Sequence, residues 1–448
     1  MARQRLAIIG GDAAGMSAAS IARRRDEDLE IVAFERGLYT SYSACGIPYY
    51  VAGLVEDADR LISRSPEEHR AKGIDVRIRC EVVAIDLDAR RLTVRSAAGE
   101  ETTEGFDQLV VATGAEPAPP PIPGVEAIEP AATVDAAERL RGALQRGGRN
   151  AVVIGAGYIG MEMAEALVDR GLHVTMIEQA PQVMATLDAD MAGHVQDAAE
   201  GHGVRVVLGA SVQEIVLGDD GAPVAVRTAD ERFDADHVVI GTGSKPAVAL
   251  AEAAGLQVGD SGALRVDDHQ RCPGHEGVFA AGDCAQARHR VLGTDVNIQL
   301  GTHANKQGRI AGANATGGDD RFPGVIGTAV SKICRYEVGR TGIGEREAAD
   351  AGIEVVSATI KDRTRAGYYP GAGPIWVKLV ADPDSGRLLG GQIVGVEGAA
   401  KRIDVLATAV WAGIPVQELA LLDLSYAPPF SGVYDPLLTA ARATAKLL

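Results

Sequence analysis

Residues 150–167 read NAVVIGAGYIGMEMAEAL. The apolar run Ala151 to Ile154 has strand character. It leads into Gly155, Gly157 and Gly160, and a helical run follows. HVTMIE (173–178) is the next strand and ends on an acid, Glu178. Strand, G-x-G-x-x-G turn, helix, strand and acid make up the dinucleotide-binding βαβ unit. Its glycines let backbone approach a pyrophosphate at the helix N-terminus, and its acid accepts from a ribose. From Gln179 to Gly193 there is no Lys or Arg to receive a 2′-phosphate. NADH is therefore expected as donor, with NADPH still open.

An earlier copy opens the chain. RLAII (5–9) is a strand, Gly10, Gly11 and Gly15 form the turn, and MSAASIARRR is a helix. EIVAFE then ends in Glu35. Asp12 stands where the second glycine belongs, and its carboxylate faces the pyrophosphate unless it turns away. Two such units predict two nucleotide cofactors. Between them lie a charged helical stretch (55–78), strands near 76–87 and 91–95, and LVVATGAEP (109–117). The proline-rich AEPAPPPIPG (115–124) reads as a domain boundary. Strands are expected at 204–208, 212–217, 222–228 and 237–240. GVFAAGDCA (277–285) then delivers Asp283 at a strand end, where it suits polyol hydroxyls such as a ribitol. A helix is expected from Asn297 to Asn314. From Phe322 alternating strands and two helices form a third, α+β domain with no nucleotide signature.

SYSACGIPYY (41–50) holds Cys45, and the next cysteine is Cys80. Without a close partner, Cys45 acts alone: as thiolate, sulfenic acid or mixed disulfide. A helix after Gly46 is expected to bring its N-terminus to the sulfur and lower the thiol pKa. The five cysteines are scattered, against a disulfide framework or a metal site. A net charge of −17 argues against nucleic acid or an anionic membrane as partner. No apolar run approaches the ~20 residues of a membrane span. The opening MARQRLAIIGG is too soon interrupted for a signal peptide, so a soluble cytoplasmic protein is expected.

With these residues in hand, the chain resembles the FAD- and NAD(P)H-dependent pyridine nucleotide-disulfide oxidoreductases. It is most similar to their single-cysteine branch of coenzyme A-disulfide reductases, sulfur or polysulfide reductases and NADH oxidases. The markers are Gly10 to Glu35, ATG at 112–114, Gly155 to Glu178, AGD at 281–283 and the terminal domain. The resemblance implies an α/β fold of two Rossmann-like domains, the second inserted in the first, plus an α+β dimerisation domain. The expected ranges are 1–115 with 246–321 for FAD, 116–245 for NAD(P)H, and 322–448 for pairing into a homodimer. It implies FAD contacts at Gly10, Gly15, Glu35, Ser41, Thr113, Gly114, Gly243, Gly282 and Asp283. NADH contacts would fall at Gly155, Gly157, Ile159, Gly160 and Glu178, with Tyr158 as the gate. Cys45 would carry the redox sulfur, and Tyr368 and Tyr426 of the second subunit would donate protons. Tyr369 remains an alternative to Tyr368. Arg23 and Arg64 are candidates for a coenzyme A phosphate, and the role of Glu162 is open. Ala13 stands where the oxidases carry histidine, and Ala44 where the reductases carry asparagine. The expected activity is reduction of a coenzyme A disulfide, persulfide or polysulfide. The alternatives are an oxygen-consuming NADH oxidase and a flavoprotein that acts by binding a partner.

Overall fold

The computed structural model describes residues 4–448. Its first sheet is all-parallel, with strands in the order Val278–Ala280, Gln108–Val111, Arg5–Ile9, Glu30–Glu35 and Asp75–Ile78. Leu6, Ala7, Ile8 and Ile9 are all buried, as a parallel strand covered on both faces requires. One cover is a pair of helices, Ala13–Arg25 and Gly301–Ala315. They touch backbone to backbone through small residues. A Cβ on Gly308 would lie 2.1 Å from the Ala14 carbonyl oxygen, and one on Gly312 2.3 Å from that of Ala18.

The chain leaves this sheet after Val111 and builds a second parallel sheet. Its order is Val204–Leu208, His173–Glu178, Asn150–Ile154 and His237–Ile240. The exit strand Ala115–Pro117 pairs antiparallel with the return strand Ser244–Pro246, and Val278–Ala280 then rejoins the first sheet. The second Rossmann-like unit is thus inserted in the first. A third, antiparallel sheet follows in the order Ala329–Ile333, Tyr336–Gly342, Leu388–Gly395, Pro374–Ala381 and Val356–Arg363. Leu388–Gly395 is buried along its whole length. Helix Ile403–Ala412 packs its apolar residues into the same core as this strand.

Two local expectations are corrected, and one strand is added. The stretch 55–78 is not one helix: it holds a 3₁₀ turn (Ala58–Leu61), a short helix (Pro66–Arg70) and the strand Asp75–Ile78. The helix expected from Asn297 begins at Gly301, because the Asn297 side chain donates to the Asp283 and Ala285 carbonyls instead. A polar strand, Glu101–Gly105, was not foreseen; it completes a three-stranded sheet beside Cys80–Asp86 and Arg91–Ser96.

Candidate active site

The two glycine turns are built alike. A Cβ on Gly15 would stand 2.0 Å from the Gly10 carbonyl oxygen, and one on Gly160 2.0 Å from that of Gly155. In each copy the third glycine therefore lets the helix start against the turn. Gly10 (φ +108°) and Gly155 (φ +98°) also need the left-handed region. Each strand-end acid closes its own turn. Glu35 accepts from the Gly11 and Gly37 amides at 2.8 and 2.6 Å. Glu178 accepts from Ala156 and Ala180 at 2.7 and 2.8 Å. Neither helix has a side-chain N-cap, so the first-turn amides of Ala13–Arg25 and Tyr158–Asp169 are open to an anion. The residues present fit two dinucleotides.

Asp12 resolves its own difficulty. Its Oδ1 accepts from the Tyr42 amide at 3.2 Å, which turns the carboxylate toward the cysteine segment. Burial, with Glu35 adding to it, pushes Asp12 up to about 6. Ser41, at φ +50°, donates its amide to Gly11 and meets His69 Nε2 at 3.0 Å through its hydroxyl. Burial and the cations Arg64 and Lys72 bring His69 down to about 4, so it is neutral at pH 7. The Thr113 hydroxyl is taken by the Ala247 carbonyl (2.7 Å). Gly114 and Gly243 have open space over their Cα atoms. Gly282 donates its amide to Gln307, and a Cβ there would reach Ala14 at 2.8 Å. Asp283 beside it is pushed up by burial.

Cys45 sits on a 3₁₀ turn, Ala44–Gly46, leading into the short helix Ile47–Ala52. Ile47, Pro48, Tyr50 and Val51 are buried and anchor it, while Cys45 stays exposed. The expected low thiol pKa is corrected. Burial and the Glu162 carboxylate push the Cys45 thiol up, Asp283 and Asp12 add to this, and a backbone amide offsets only part of it. The Cys45 thiol is thus under the combined field of residues from both glycine-turn regions and from AGD.

Glu162 lies one helical turn after Tyr158. It accepts from the Ser331 hydroxyl at 2.6 Å, and burial pushes it up. One turn on, Glu165 pairs with Lys332 (2.6 Å) and takes the Cys334 amide. Glu162 and Lys332 both act on Tyr49, near Cys45. The Ser331–Lys332 pair escaped the sequence reading; its only signal is polar residues inside an otherwise apolar strand. Tyr158 buries its hydroxyl with no hydrogen bond of good geometry among the described residues, Thr186 being the polar side chain that bears on it, and Ile159 beside it is exposed.

The remaining candidates lie elsewhere. Tyr368 and Tyr426 are neighbours, 78% and 47% exposed. Tyr369 turns into a cavity of about 600 Å³ with Phe430 and Arg365. The Arg23 guanidinium donates to the carbonyls of Asp26, Glu27, Leu29 and Gly73, which leaves it fastened to its own helix end. Arg64 acts on His69 beside the Ser41 hydroxyl.

Comparison with known proteins shows the family. Residues 4–308 match the model for pyridine nucleotide-disulphide oxidoreductases, and residues 328–437 match that family's dimerisation domain. The chain belongs to the pyridine nucleotide-disulphide oxidoreductase family and is an oxidoreductase. It is 38% identical, over 98% of each chain, to an NAD(P)H coenzyme A polysulfide/persulfide reductase of Pyrococcus horikoshii. It is 36% identical, over 99% of each chain, to an NADH oxidase of Methanocaldococcus jannaschii. The structure of an NAD-dependent persulfide reductase from A. fulgidus superposes with a TM-score of 0.95 at 40% identity. That match covers 99% of this chain and 83% of the other.

Proposed function

We propose that the protein is an FAD-containing, NADH-preferring reductase of coenzyme A disulfides or persulfides, with Cys45 as its sole redox sulfur. The observation that carries this reading is the placement of Cys45. It is the one exposed cysteine among the described residues, and it lies under residues 12, 162 and 283 at once. Cys272, Cys284 and Cys334 are buried and Cys80 is half-buried. The likeness to two persulfide reductases supports the substrate class.

The reaction is NADH + H⁺ + RS–SR → NAD⁺ + 2 RSH. FAD, when bound, carries the electron pair from the nicotinamide to sulfur. The first glycine turn and Asp283 would hold it; the second turn would hold NADH, with Tyr158 covering the nicotinamide. Cys45 gives up its proton, attacks the substrate disulfide as thiolate, forms the Cys45 Sγ–S–R bond and releases one thiolate. The electron pair then cleaves that bond, freeing the second thiolate and regenerating Cys45. Each leaving thiolate takes a proton, supplied by Tyr426 and Tyr368 of a second copy. Tyr368 is favoured over Tyr369 because it points outward while Tyr369 faces its own cavity. Such sharing makes the protein an isologous homodimer, which the matched dimerisation domain supports. Unpaired cysteines throughout the described residues fit a reducing, cytoplasmic setting.

Stopped-flow mixing of NADH-reduced protein with coenzyme A disulfide, polysulfide or air tests the assignment. Fast reoxidation by the sulfur acceptors is expected. Fast reoxidation by air alone would establish the NADH oxidase reading, which the 36%-identical oxidase favours. NADH should turn over faster than NADPH; the reverse would show that a cation from elsewhere reaches the 2′-phosphate.

A further inference from the structure

Residues 184–188 join the second glycine turn to the third sheet. On the nucleotide side the Met184 amide donates to the Ala156 carbonyl, inside the turn, at 2.8 Å. Met184 is held at φ +44°, a left-handed conformation uncommon outside glycine, so the surroundings dictate this path. Val183, Met184 and Leu187 are buried. From the other side the third domain grips the same segment. Arg340 donates to the Thr186 carbonyl at 2.8 Å and Arg346 to that of Ala185, while the Gln392 side chain accepts the Asp188 amide at 2.9 Å. Arg340 is only 8% exposed and is itself fixed by Glu347 (2.6 Å) and the Gly342 carbonyl (2.9 Å). The half-buried Tyr158 ring packs against the core cluster that holds Val183, Met184 and Leu187, and Thr186 and Arg340 both bear on its phenol. A guanidinium taken out of water and aimed at a neighbouring domain's backbone is costly unless its donors are met. Here one of them is met by the segment behind Tyr158.

We propose that Arg340 is a positioning residue for the pyridine-nucleotide site: through the Thr186 carbonyl it holds residues 184–188 against the glycine turn and so fixes the Tyr158 ring. This rests on reading Tyr158 as the cover of the nicotinamide. It makes the nicotinamide site dependent on the third domain, which is also the pairing domain.

The test is calorimetric titration of NADH into FAD-loaded Arg340→Met, Arg340→Lys and Arg346→Ala. Arg340→Met should weaken NADH binding by about tenfold or more and raise KM for NADH while kcat holds, the signature of lost uniform binding. Its FAD content and its mass in solution should match the parent. Arg340→Lys should recover part of the affinity, since one ammonium can reach Thr186 but cannot also hold Glu347 and Gly342 as a fork does. Arg346→Ala, an exposed contact to the same segment, should weaken NADH by a few-fold. NADH affinity unchanged in a folded Arg340→Met overturns the proposal, as does loss of FAD and NADH together. If Arg340→Met does not fold, unchanged affinity in Arg346→Ala overturns it. Failure of the parent itself to bind NADH would refute the reading of the second turn rather than the role of Arg340.

Discussion

At the scale of single residues, the chemistry depends on where carboxylates fall around one thiol. Glu162 is the nearest in effect and opposes ionisation of Cys45. Replacing it by Gln removes that negative charge and leaves the amide to bond Ser331. Glu162→Gln should therefore move the pH midpoint of Cys45 alkylation by iodoacetamide downward. An unchanged midpoint would mean that Glu162 does not act on the sulfur. The sequence showed Cys45 and its isolation but gave the wrong direction for its pKa. The cause is physical: the opposing charges come from residues 12, 162 and 283, brought together by three separate chain crossings. The helix invoked to lower the pKa is one of six residues. Asp12 was legible as an anomaly in the glycine pattern; its turn toward Tyr42 was not, because that contact depends on the Ser41 backbone.

At the scale of elements, the glycine turns were legible in full. Their requirement is local: a tight turn, a positive φ and a close helix start are all written in six consecutive residues, 10–15 and 155–160. Gly160→Ala tests this. Its new Cβ would lie 2.0 Å from the Gly155 carbonyl oxygen, so strand and helix must separate. We expect a loss of about 1–3 kcal/mol of stability, typical of overpacking, and a raised KM for NADH. FAD should stay bound, since the first turn is untouched. Equal loss of both cofactors, read by flavin absorbance and NADH titration, would show that the turns are not independent. Glu101–Gly105 was not legible because ETTEG is mostly exposed and has no apolar alternation. Ser331, Lys332 and Arg340 were not legible as site residues either. They act through a helix or a carbonyl more than 150 residues away, and such contacts leave no periodicity in the chain.

At the scale of the whole molecule, two buried histidines couple folding to pH. His69 and His289 are 1% and 3% exposed, and burial brings each to about 4. The unfolded value is near 6.5. The folded state thus binds fewer protons, and the stability from the neutral rings is complete above about pH 6.5 and lost as pH falls toward 4. The loss is on the order of 3 kcal/mol for each ring by pH 4. Thermal melts of the holoenzyme should show Tm falling over this range, and His69→Gln should flatten the fall. Asp12, raised to about 6, works in the opposite direction over the same window, so the comparison decides: a fall in Tm as steep in His69→Gln as in the parent would contradict the burial of that ring.

The claim that organises the molecule is that one sulfur, Cys45, passes electrons to substrate, and it is tested most directly in Cys45→Ser. NADH-reduced parent and variant are mixed with coenzyme A disulfide, and flavin absorbance is followed by stopped flow. The variant should bind FAD and take up electrons from NADH as the parent does, because neither step uses the sulfur. Its reoxidation by the disulfide should be slower by orders of magnitude, because a serine hydroxyl cannot form the mixed disulfide. Reoxidation of the variant at near the parent rate would remove Cys45 from the mechanism.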